Sequence, residues 1–528
     1  MLLLCLPVAA ILWLAANPEE NPWPHLLETV LPNYLYNTFA LLIGVGACSV
    51  GLGFSLAWLF RFYDFPLKRF FSWALLLPFA MPAYIMAYVY TDFLSYTGPL
   101  QAMLRKGMGW TGASEYTFPE IRSLGGAIAM FSLVLYPYVF LTARASLQNV
   151  SDHLIQAARS LGASPLSTLL RVVFPSVRPA LAIGLALVSM ETLNDYGTVS
   201  YFAIPTLTFG LYDAWLTMGN VGGAAQIALV LISVTLVLVL VEWLSRNRGM
   251  RQASGTRPGR QLPQALTGWR SGLVLTYLTS LLLIAFAVPF CILLYYAVSL
   301  FEQNWTPRFT QYAINSMSLA ASTVILLSLL SLMIAYVQRI KAQDRHLLTR
   351  IAMLGYAMPG AVLAIGVLVP LGGFDNWLSD RLTEYWGISS GLLFSGTVFA
   401  LLYAYSCRFF TVSFGSVESG LMQITPAMDQ VAQTLGCKSP EILRRIHLPL
   451  LRPALLSSAI IIFVDVIKEL PATLLLRPFN FETLATYVYQ YASDEMIHHS
   501  ALAALLIVAI GIVPAILLNR FSETQKNP

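Results

Sequence analysis

Long apolar runs follow one another along the whole chain and are separated by short polar or charged loops. A hydrocarbon core of about 30 Å takes roughly 20 residues of α-helix to cross. Runs of about this length predict an all-α polytopic membrane protein with about twelve spans, at 1–16, 36–60, 70–94, 124–147, 179–203, 222–244, 271–300, 313–337, 347–371, 390–412, 453–476 and 499–519.

The composition agrees with the pattern of runs. Hydrophobic residues make up 57% of the 528 residues and charged residues 11%, a proportion that soluble domains of this size do not have. Most of the 31 Lys and Arg fall in alternate loops, and loops rich in these residues stay in the cytoplasm. The charge bias therefore predicts a cytoplasmic N-terminus.

The first apolar run, residues 1–16, has two interpretations. It is apolar and ends in small residues, as signal peptides do, but it lacks their positively charged leading region. We expect a retained helix, because its removal would leave unequal numbers of spans in the two halves of the chain. The absence of a basic flank suggests that the true N-terminus lies upstream.

A basic segment divides the chain. Residues 246–270 read RNRGMRQASGTRPGRQLPQALTGWR and show no apolar periodicity, which predicts a cytoplasmic linker between a first repeat at 1–245 and a second at 271–528. The five cysteines are scattered without paired spacing. We interpret them as packing residues and not as a disulfide or metal framework.

The two halves are copies of one another. Asn37-Thr38 and Arg61 correspond to Asn315-Ser316 and Arg339, and Ala80-Met81-Pro82 corresponds to Ala357-Met358-Pro359. With about six spans in each half, both copies face the same way, as in a parallel repeat. The clearest identity is between residues 154–181 and 428–455 at an offset of 274, with eleven identical pairs: Gln156/Gln430, Ala158/Ala432, Leu161/Leu435, Gly162/Gly436, Leu169/Leu443, Arg171/Arg445, Pro175/Pro449, Arg178/Arg452, Pro179/Pro453, Ala180/Ala454 and Leu181/Leu455.

The repeated segment lies in a cytoplasmic loop by the charge bias, and its pattern predicts two short helices. The first helix should stop at Gly162, where the missing β-carbon permits a sharp reversal. Ser164-Pro165 and Ser439-Pro440 should each begin the second, with Ser as its cap. The second helix carries an apolar stripe at Leu166, Leu169, Leu170 and Val173 and at Ile442, Leu443 and Ile446. The stripe lies on the membrane interface, packs under its own bundle or docks a cytoplasmic partner.

The repeated segments resemble a known signature. They read Q-A-A-x3-G-x9-V-x-F-P at 156–175 and Q-V-A-x3-G-x9-I-x-L-P at 430–449, similar to the E-A-A-x3-G-x9-I-x-L-P loop of membrane subunits of binding-protein-dependent ABC importers. Both copies have Gln for the leading Glu, and the second has Val431 for Ala. The candidate coupling residues are Gln156, Ala157, Ala158, Gly162, Pro175, Gln430, Ala432, Gly436 and Pro449.

This resemblance implies a type I ABC importer permease fold in the bacterial inner membrane. In that family each loop is a coupling helix seated on an ATPase subunit, so two loops imply two ATPase copies, and an extracytoplasmic binding protein delivers the substrate. Residues 190–202 and 465–489 are similar to those of ferric-iron importer permeases, which implies ferric iron as the substrate. Thiamine and phosphonate remain open.

Ionisable residues at membrane depth are costly and are usually functional. Glu191 and Asp195 lie in the fifth predicted span, and Asp465, Lys468 and Glu469 in the eleventh. Each acidic pair has i, i+4 spacing, which places both carboxylates on one helix face. The four carboxylates either line a cation pathway, since hard oxygen ligands suit a highly charged metal ion, or are structural, with Lys468 paired to Asp465 or Glu469.

Other features carry less information. His498-His499 is expected at the end of an external loop, and the prolines of the two Ala-Met-Pro segments are expected to kink their spans. A cluster of tyrosines near span ends fits an interfacial aromatic belt better than a ligand set: Tyr84, Tyr88, Tyr90, Tyr136 and Tyr138.

No phosphate-binding G-x-x-x-x-G-K-[ST] loop occurs in the sequence. We therefore expect a transport subunit that is not itself an enzyme, needs no cofactor and binds no nucleic acid, with ATP bound by a partner. An ion-coupled secondary transporter is the alternative, since parallel six-helix repeats also occur there. A membrane enzyme has little support, because no nucleophile and base pattern is present.

Overall fold

The computed structural model describes residues 2–18, 22–148, 150, 152–252, 263–341 and 346–524. These residues are almost wholly helical, which confirms the all-α prediction. The first half contains α1 (Leu2–Ala16), α2 (Trp23–Glu28), α3 (Leu31–Phe62), α4 (Lys68–Ala74), α5 (Ala83–Leu94), α6 (Pro99–Met108), α7 (Leu124–Gln148), α8 (Asp152–Ser160), α9 (Pro165–Thr168), α10 (Phe174–Asn194), α11 (Gly197–Tyr201), α12 (Leu207–Tyr212) and α13 (Val221–Gln252).

The second half repeats this order of long and short helices. It contains α14 (Trp269–Leu282), α15 (Val288–Ser299), α16 (Phe301–Asn304), α17 (Pro307–Lys341), α18 (His346–Met353), α19 (Gly360–Trp386), α20 (Val398–Met422), α21 (Pro426–Thr434), α22 (Ser439–Ile442), α23 (Leu448–Ile467), α24 (Pro471–Leu476), α25 (Leu484–Ser493) and α26 (Ile497–Thr524).

Several helices contain a widened turn of the π type. Two of these, Leu169–Val173 and Leu443–His447, lie at the same place in the two repeats, since 443 and 169 differ by the repeat offset of 274. Each connects a short helix to a long one without a break, α9 to α10 and α22 to α23. Similar turns occur at Asp213–Thr217 and Leu283–Ala287, and 3₁₀ turns occur at Leu77–Ala80, Ala113–Glu115 and Leu354–Ala357.

Within the described ranges, ten helices are long and apolar enough to cross a membrane. One further span is broken, because Lys68–Ala80 and Ala83–Met108 meet at a bend of 90°, where Pro82 was predicted to kink the chain. The shorter apolar helix α1 matches the first predicted span. These ten helices, the bent pair and α1 account for the twelve predicted runs, and the prediction of a polytopic membrane protein is confirmed.

The chain forms two compact units that interleave in sequence. The first-repeat unit contains Pro24–Gly210, Ser233–Asn304 and Val488–Pro528, and the second-repeat unit contains Met1–Trp23, Leu211–Ile232 and Trp305–Tyr487. Each unit therefore takes helices from both halves of the sequence. The division into repeats at 1–245 and 271–528 concerns sequence similarity, and it stays a prediction.

In the first-repeat unit the core is a packed triple of α3, α7 and α10. The backbones approach closely at glycines: a β-carbon on Gly53 would lie 2.7 Å from Cβ of Val139, and one on Gly184 would lie 2.7 Å from Oγ1 of Thr142. Small residues commonly permit such packing between membrane helices. In the second-repeat unit the equivalent triple is α17, α20 and α23.

Polar contacts confirm the correspondence between the repeats. In the first-repeat unit Asn37 donates to the carbonyl of Pro205 at 3.1 Å, and Thr38 Oγ1 accepts the N–H of Leu207 at 2.9 Å. The second-repeat unit has the same two bonds, from Asn315 to the carbonyl of Glu482 at 3.0 Å and from the N–H of Leu484 to Ser316 Oγ at 2.8 Å.

The prediction of an interfacial tyrosine belt is wrong. Tyr84, Tyr88, Tyr90 and Tyr136 are between 0% and 6% exposed, whereas a belt residue would face the lipid. The hydroxyl of Tyr136 donates to the carbonyl of Leu75 at 2.8 Å. These tyrosines are core residues of the first-repeat unit, because α5 and α7 turn them towards neighbouring helices.

The linker prediction falls partly on residues 253–262, which lie outside the described residues. Before them, α13 continues to Gln252, so the first residues of the predicted linker are helical. After them, a two-residue strand, β2 (Gln264–Ala265), pairs in parallel with β1 (Tyr63–Asp64). The end of the linker is therefore attached to the end of α3 in the first-repeat unit.

Candidate functional site

The first repeated loop, residues 152–175, reverses direction at Gly162. The end of α8 is closed by backbone hydrogen bonds of 3.1 Å from Leu161 to Ala157, 3.0 Å from Gly162 to Arg159 and 3.0 Å from Ala163 to Ala158. Gly162 has φ of +84°, a left-handed conformation that costs glycine little. The predicted reversal at this glycine is confirmed.

The second repeated loop, residues 426–449, has the same geometry. The end of α21 is closed by bonds from Leu435 to Val431, Gly436 to Gln433 and Cys437 to Ala432, at 3.1, 2.9 and 3.0 Å. Gly436 has φ of +83°. Two segments with eleven identities therefore fold into the same helix termination.

The second predicted helix differs from expectation in both loops. It is not a separate short helix, because α9 and α22 each continue through a π turn into a long helix. Ser164 caps α9 as predicted, accepting the N–H of Ser167 at 3.2 Å. The predicted cap at Ser439 is wrong, since Lys438 is the cap residue and Ser439 is the first helical residue.

Most candidate coupling residues are on the surface of the protein. Ala158 is partly exposed and Ala432 is buried, at 5% exposed. Leu161 and Leu435, which precede the two glycines, are 87% and 78% exposed. Exposed apolar side chains therefore lie at the same place in both loops. The exposed candidate residues are Gln156, Ala157, Gly162, Pro175, Gln430, Gly436 and Pro449.

The second loop also has an apolar groove of about 480 Å³. It is lined by Met428, Val431 and Leu435 of α21 and its end, and by Ile442 and Ile446 of the following helix. Ile442 and Ile446 belong to the apolar stripe predicted from the sequence. In the second loop the stripe therefore faces a groove formed by the loop itself.

A partly buried polar network anchors the second loop. Asp429 Oδ2 accepts from Arg339 Nε at 2.8 Å, and its Oδ1 is 2.6 Å from Nε2 of His447. Arg339 also donates to the carbonyls of Leu421 and Ile424, at 2.6 and 3.0 Å. Burial alone would raise the pKa of Asp429, but the hydrogen bonds from His447 and Arg339 outweigh it and lower that pKa.

The first loop has apolar residues where the second has this network. Ile155 corresponds to Asp429 and Val173 to His447 at the offset of 274, and they are 5% and 0% exposed. Arg61, the counterpart of Arg339, donates to the carbonyl of Leu147 at 3.2 Å. The two loops share a fold, but apolar contacts attach the first loop to its unit and charged hydrogen bonds attach the second.

In the first-repeat unit the predicted carboxylates lie at the end of a helix. Glu191 is in the last turn of α10 and accepts from the hydroxyl of Tyr138 at 3.3 Å. Asp195 follows the helix with extended backbone angles and accepts the N–H of Thr198, at the start of α11, at 2.7 Å. The helix ends at Asn194, between the two carboxylates, and the N–H of Asp195 still bonds to the carbonyl of Glu191 at 3.1 Å. That both carboxylates share one helix face stays a prediction.

In the second-repeat unit each carboxylate has a basic partner. Asp465 is 2.9 Å from Lys468, one of the two pairings that the sequence allowed. Glu469 lies after the end of α23 and caps α24, accepting the N–H groups of Ala472 and Thr473 at 3.1 Å each. It also lies 3.4 Å from Arg408, in a pair whose side chains are only 2% and 10% exposed.

Sequence reasoning missed Arg408. The sequence could have indicated this residue, because an arginine inside the predicted span 390–412 is a charge at membrane depth. Gly360 at the start of α19 makes room for the pair: a β-carbon there would lie 2.6 Å from Nη1 of Arg408 and 2.7 Å from Oε1 of Glu469. The buried ion pair therefore depends on a residue without a side chain in the neighbouring helix.

Across the part of the chain that the structure describes, no three His, Cys, Asp or Glu side chains come together in a metal-binding arrangement. His498 and His499 lie at the start of α26, and His499 Nδ1 is 3.4 Å from Oδ1 of Asn304. The external position predicted for them stays a prediction.

Known proteins share both repeats. Residues 49–249 and 328–526 match the family described as binding-protein-dependent transport system inner membrane component. The Fe(3+)-transport system permease protein FbpB 2 of Haemophilus influenzae is 24% identical over 527 residues, which cover 98% of this chain and 96% of the relative. The sulfate transport system permease protein CysT of Synechocystis sp. is 28% identical over 267 residues, which cover 48% of this chain and 88% of the relative.

The two family matches begin inside the core helices α3 and α17 and run through the last helix of each repeat. Each match contains one repeated loop with its left-handed glycine. Because the matches cover most of the sequence and fall on both copies of the repeat, this chain belongs to the family of binding-protein-dependent transport system inner membrane components.

Proposed function

We propose that this chain is the permease subunit of an ATP-driven ABC importer that carries ferric iron across the bacterial inner membrane, with its N-terminus in the cytoplasm. The observation that carries the proposal is the pair of repeated loops, which share sequence and helix termination and expose apolar residues at equivalent positions. The full-length similarity to a ferric-iron permease supports the choice of substrate.

The partners follow from the two loops. Each loop exposes a leucine beside its left-handed glycine, Leu161 beside Gly162 and Leu435 beside Gly436. Two copies of one ATPase subunit can bind these two surfaces in the same way, as the two-fold symmetry of a dimer requires. An extracytoplasmic binding protein delivers the substrate on the opposite side, and the binding-protein dependence in the description of the family supports this partner.

The mechanism is a gating movement driven from the cytoplasm. ATP binding closes the ATPase pair and moves the two loops, and each loop continues without a break into a long core helix, α10 or α23. A movement of the loop is therefore transmitted to a helix that ends beside a carboxylate, Asp195 or Glu469. ATP binding thus controls the side from which the pathway is open.

The choice between substrates rests on charge. Sulfate permeases are also similar to this chain, over about half of it. However, Glu191 and Asp195 at the end of α10 form no salt bridge within the described part of the chain, and they would disfavour an anion. A hard cation such as ferric iron is stabilised by carboxylate oxygens.

The proposal is tested by transport in proteoliposomes. The chain is reconstituted with its ATPase and the binding protein from the same operon, and radioactive ferric iron is supplied outside with ATP inside. We expect uptake that needs both ATP and the binding protein. Sulfate, thiamine and a phosphonate, each with the same components, should not be taken up.

Two outcomes would contradict the proposal. Uptake that follows a proton or sodium gradient without ATP would indicate a secondary transporter. ATP-dependent uptake of sulfate, thiamine or the phosphonate in place of iron would retain the importer and replace the substrate.

A further inference from the structure

The two repeats differ in the charge of their paired carboxylates. In the second-repeat unit Asp465 is paired with Lys468 at 2.9 Å and Glu469 with Arg408 at 3.4 Å, so the pair as a whole is neutralised. In the first-repeat unit, among the residues that the structure describes, no basic side chain lies within 4.0 Å of Glu191 or Asp195. Duplication thus placed carboxylates at both sites, but only those of the second-repeat unit have basic partners among the described residues.

A buried tyrosine, Tyr88, lies in the same first-repeat unit as Glu191 and Asp195. Tyr88 is 0% exposed, and its hydroxyl has no hydrogen-bond partner among the described residues. Its ring packs against Tyr201, which lies in α11, the short helix whose Thr198 N–H bonds to Asp195. A buried hydroxyl without a partner costs free energy, and a bound ion or water would satisfy it.

Other residues with hydroxyl groups lie near Tyr88. Its ring packs against Tyr84 and Tyr201, with centroids 5.8 and 4.5 Å apart. The hydroxyl of Tyr489 lies 3.3 Å from Oγ of Ser200, the residue before Tyr201. Carboxylate and hydroxyl oxygens are the ligands that hard, highly charged cations prefer.

A cavity lies beside Tyr201, one of the rings that pack against Tyr88. Tyr201 borders a cavity of about 670 Å³ in the first-repeat unit, which is also lined by Asp92, Glu120 and Glu495. Arg122 lines this cavity too and reaches the hydroxyl of Tyr201 at 3.1 Å, but Glu495 lies 2.8 Å from the guanidinium and matches its charge. The cavity therefore carries more acidic than basic groups and favours entry of a cation.

We propose that Glu191, Asp195 and the hydroxyl of Tyr88 form the binding site for the translocated cation, a hard metal ion held by oxygen atoms that enters through the cavity beside Tyr201. The second-repeat carboxylates do not take part, since Lys468 and Arg408 already neutralise them. This inference rests on the proposed function. It reduces the candidate cation-binding carboxylates from four to two.

The test measures binding of Tb³⁺, a hard trivalent ion whose luminescence is excited by nearby tyrosines, to the purified full-length chain in lipid nanodiscs. We compare the double variant Glu191→Gln and Asp195→Asn with the matched double variant Asp465→Asn and Glu469→Gln. The first pair should weaken Tb³⁺ binding at least about tenfold, because affinity for such ions depends on the number of charged ligands. The second pair should leave the affinity unchanged.

Two variants that each remove a single hydroxyl group provide a second test if a charge variant fails to fold. Tyr88→Phe removes only the hydroxyl without a partner, and Tyr405→Phe removes an equally buried hydroxyl that is hydrogen-bonded to Thr473 in the second-repeat unit. Tyr88→Phe should weaken Tb³⁺ binding roughly 3- to 10-fold, the range of one hydrogen-bonding group. Tyr405→Phe should change stability alone.

Equal Tb³⁺ affinity in all variants, or an equal loss in the second-repeat variants, would overturn the inference. Because the assay uses neither ATP nor an ATPase, its result is independent of the proposed function. Iron uptake without a Tb³⁺ site at Glu191 and Asp195 would discard the site and keep the importer. Tb³⁺ binding there in a chain that shows no ATP-driven uptake would keep the site and discard the importer.

Discussion

Single residues decide whether a buried charge can be held in this protein. Arg408 and Glu469 form a buried ion pair in the second-repeat unit, and the backbone of Gly360 passes directly beside them. The corresponding position in the first repeat is Ala83, which follows the same Ala-Met-Pro sequence. A β-carbon is thus present where the unit has no ion pair and absent where it has one.

Gly360→Ala should destabilise the protein. The new β-carbon would lie within 3.0 Å of both members of the pair and 3.1 Å from the backbone nitrogen of Ala472, so the pair must move, at a cost of about 1–3 kcal/mol. Gly372→Ala is the matched control, since Gly372 lies in the same helix with nothing within 4 Å of a β-carbon. Thermal unfolding should give a lower midpoint for Gly360→Ala and an unchanged or higher one for Gly372→Ala. Equal midpoints would show that the pair tolerates the extra carbon.

Asp429→Asn should weaken the anchor of the second repeated loop. The charged hydrogen bonds to Arg339 and His447 would be replaced by weaker ones, at a cost of about 1–2 kcal/mol. The control is Glu441→Gln in the same loop, because Glu441 and Arg445 form an exposed pair, 39% and 72% exposed, that contributes little. Thermal unfolding at neutral pH should separate the two variants.

The pH dependence of the Asp429→Asn effect has a definite sign. The pKa of Asp429 is lower in the folded protein than the ordinary value of 3.8. Its contribution to stability is therefore complete above the unfolded pKa and disappears as the pH falls through the folded pKa. The difference in melting midpoint between wild type and Asp429→Asn should shrink as the pH is lowered from 7 towards about 3. A difference that grows on acidification would contradict this assignment.

At the scale of elements, the sequence predicted the repeated loops better than the helices that follow them. The stop at Gly162 and Gly436 was predictable, because glycine has a specific conformational reason to end a helix. The end of α10 before Asp195 was not predictable, because the apolar run continues through residues 196–204 and gives no indication that the helix ends. The cap at Ser439 was misplaced by one residue, since Ser-Pro suits either the cap or the first turn.

Gly162→Val and Gly436→Val should each uncouple transport. A β-branched residue at φ near +84° is strained by roughly 1–2 kcal/mol, and the loop would have to change its path. Gly162→Asn and Gly436→Asn are the controls, because asparagine tolerates the left-handed conformation. We expect normal amounts of the valine variants in the membrane with much reduced ATP-dependent uptake, and near-normal uptake for the asparagine variants. Full uptake by both valine variants would show that the loop geometry is not needed.

At the scale of the whole molecule, sequence order and compact units do not coincide. The helix α1 belongs to the second-repeat unit, and α14, α15 and α26 belong to the first-repeat unit. Apolar periodicity gives the number of helices but contains no information about which bundle each helix joins, because every lipid-facing helix looks alike in composition. The duplication was readable in advance because residues such as Asn37 and Asn315 make the same hydrogen bond in each copy.

The proposed assembly predicts a fixed stoichiometry. Two repeated loops on one chain should bind two ATPase subunits, so native mass spectrometry of the purified complex should give one permease for two ATPases. The double variant Gly162→Val and Gly436→Val should lose the ATPase, while the double asparagine variant should keep it. A complex with a single ATPase would show that the two loops are not equivalent docking surfaces.

The widened turns at Leu169–Val173 and Leu443–His447 set how the outer and inner parts of each long helix are oriented. A π turn holds one residue more than an α turn, so residues beyond it face a direction about 100° away from where a continuous α-helix of the same sequence would place them. Without the widened turn, the residues of each loop would therefore point about a quarter of the way round the helix axis from their present direction. The register between each core helix and its loop thus depends on one turn, and that turn lies at the same place in both copies.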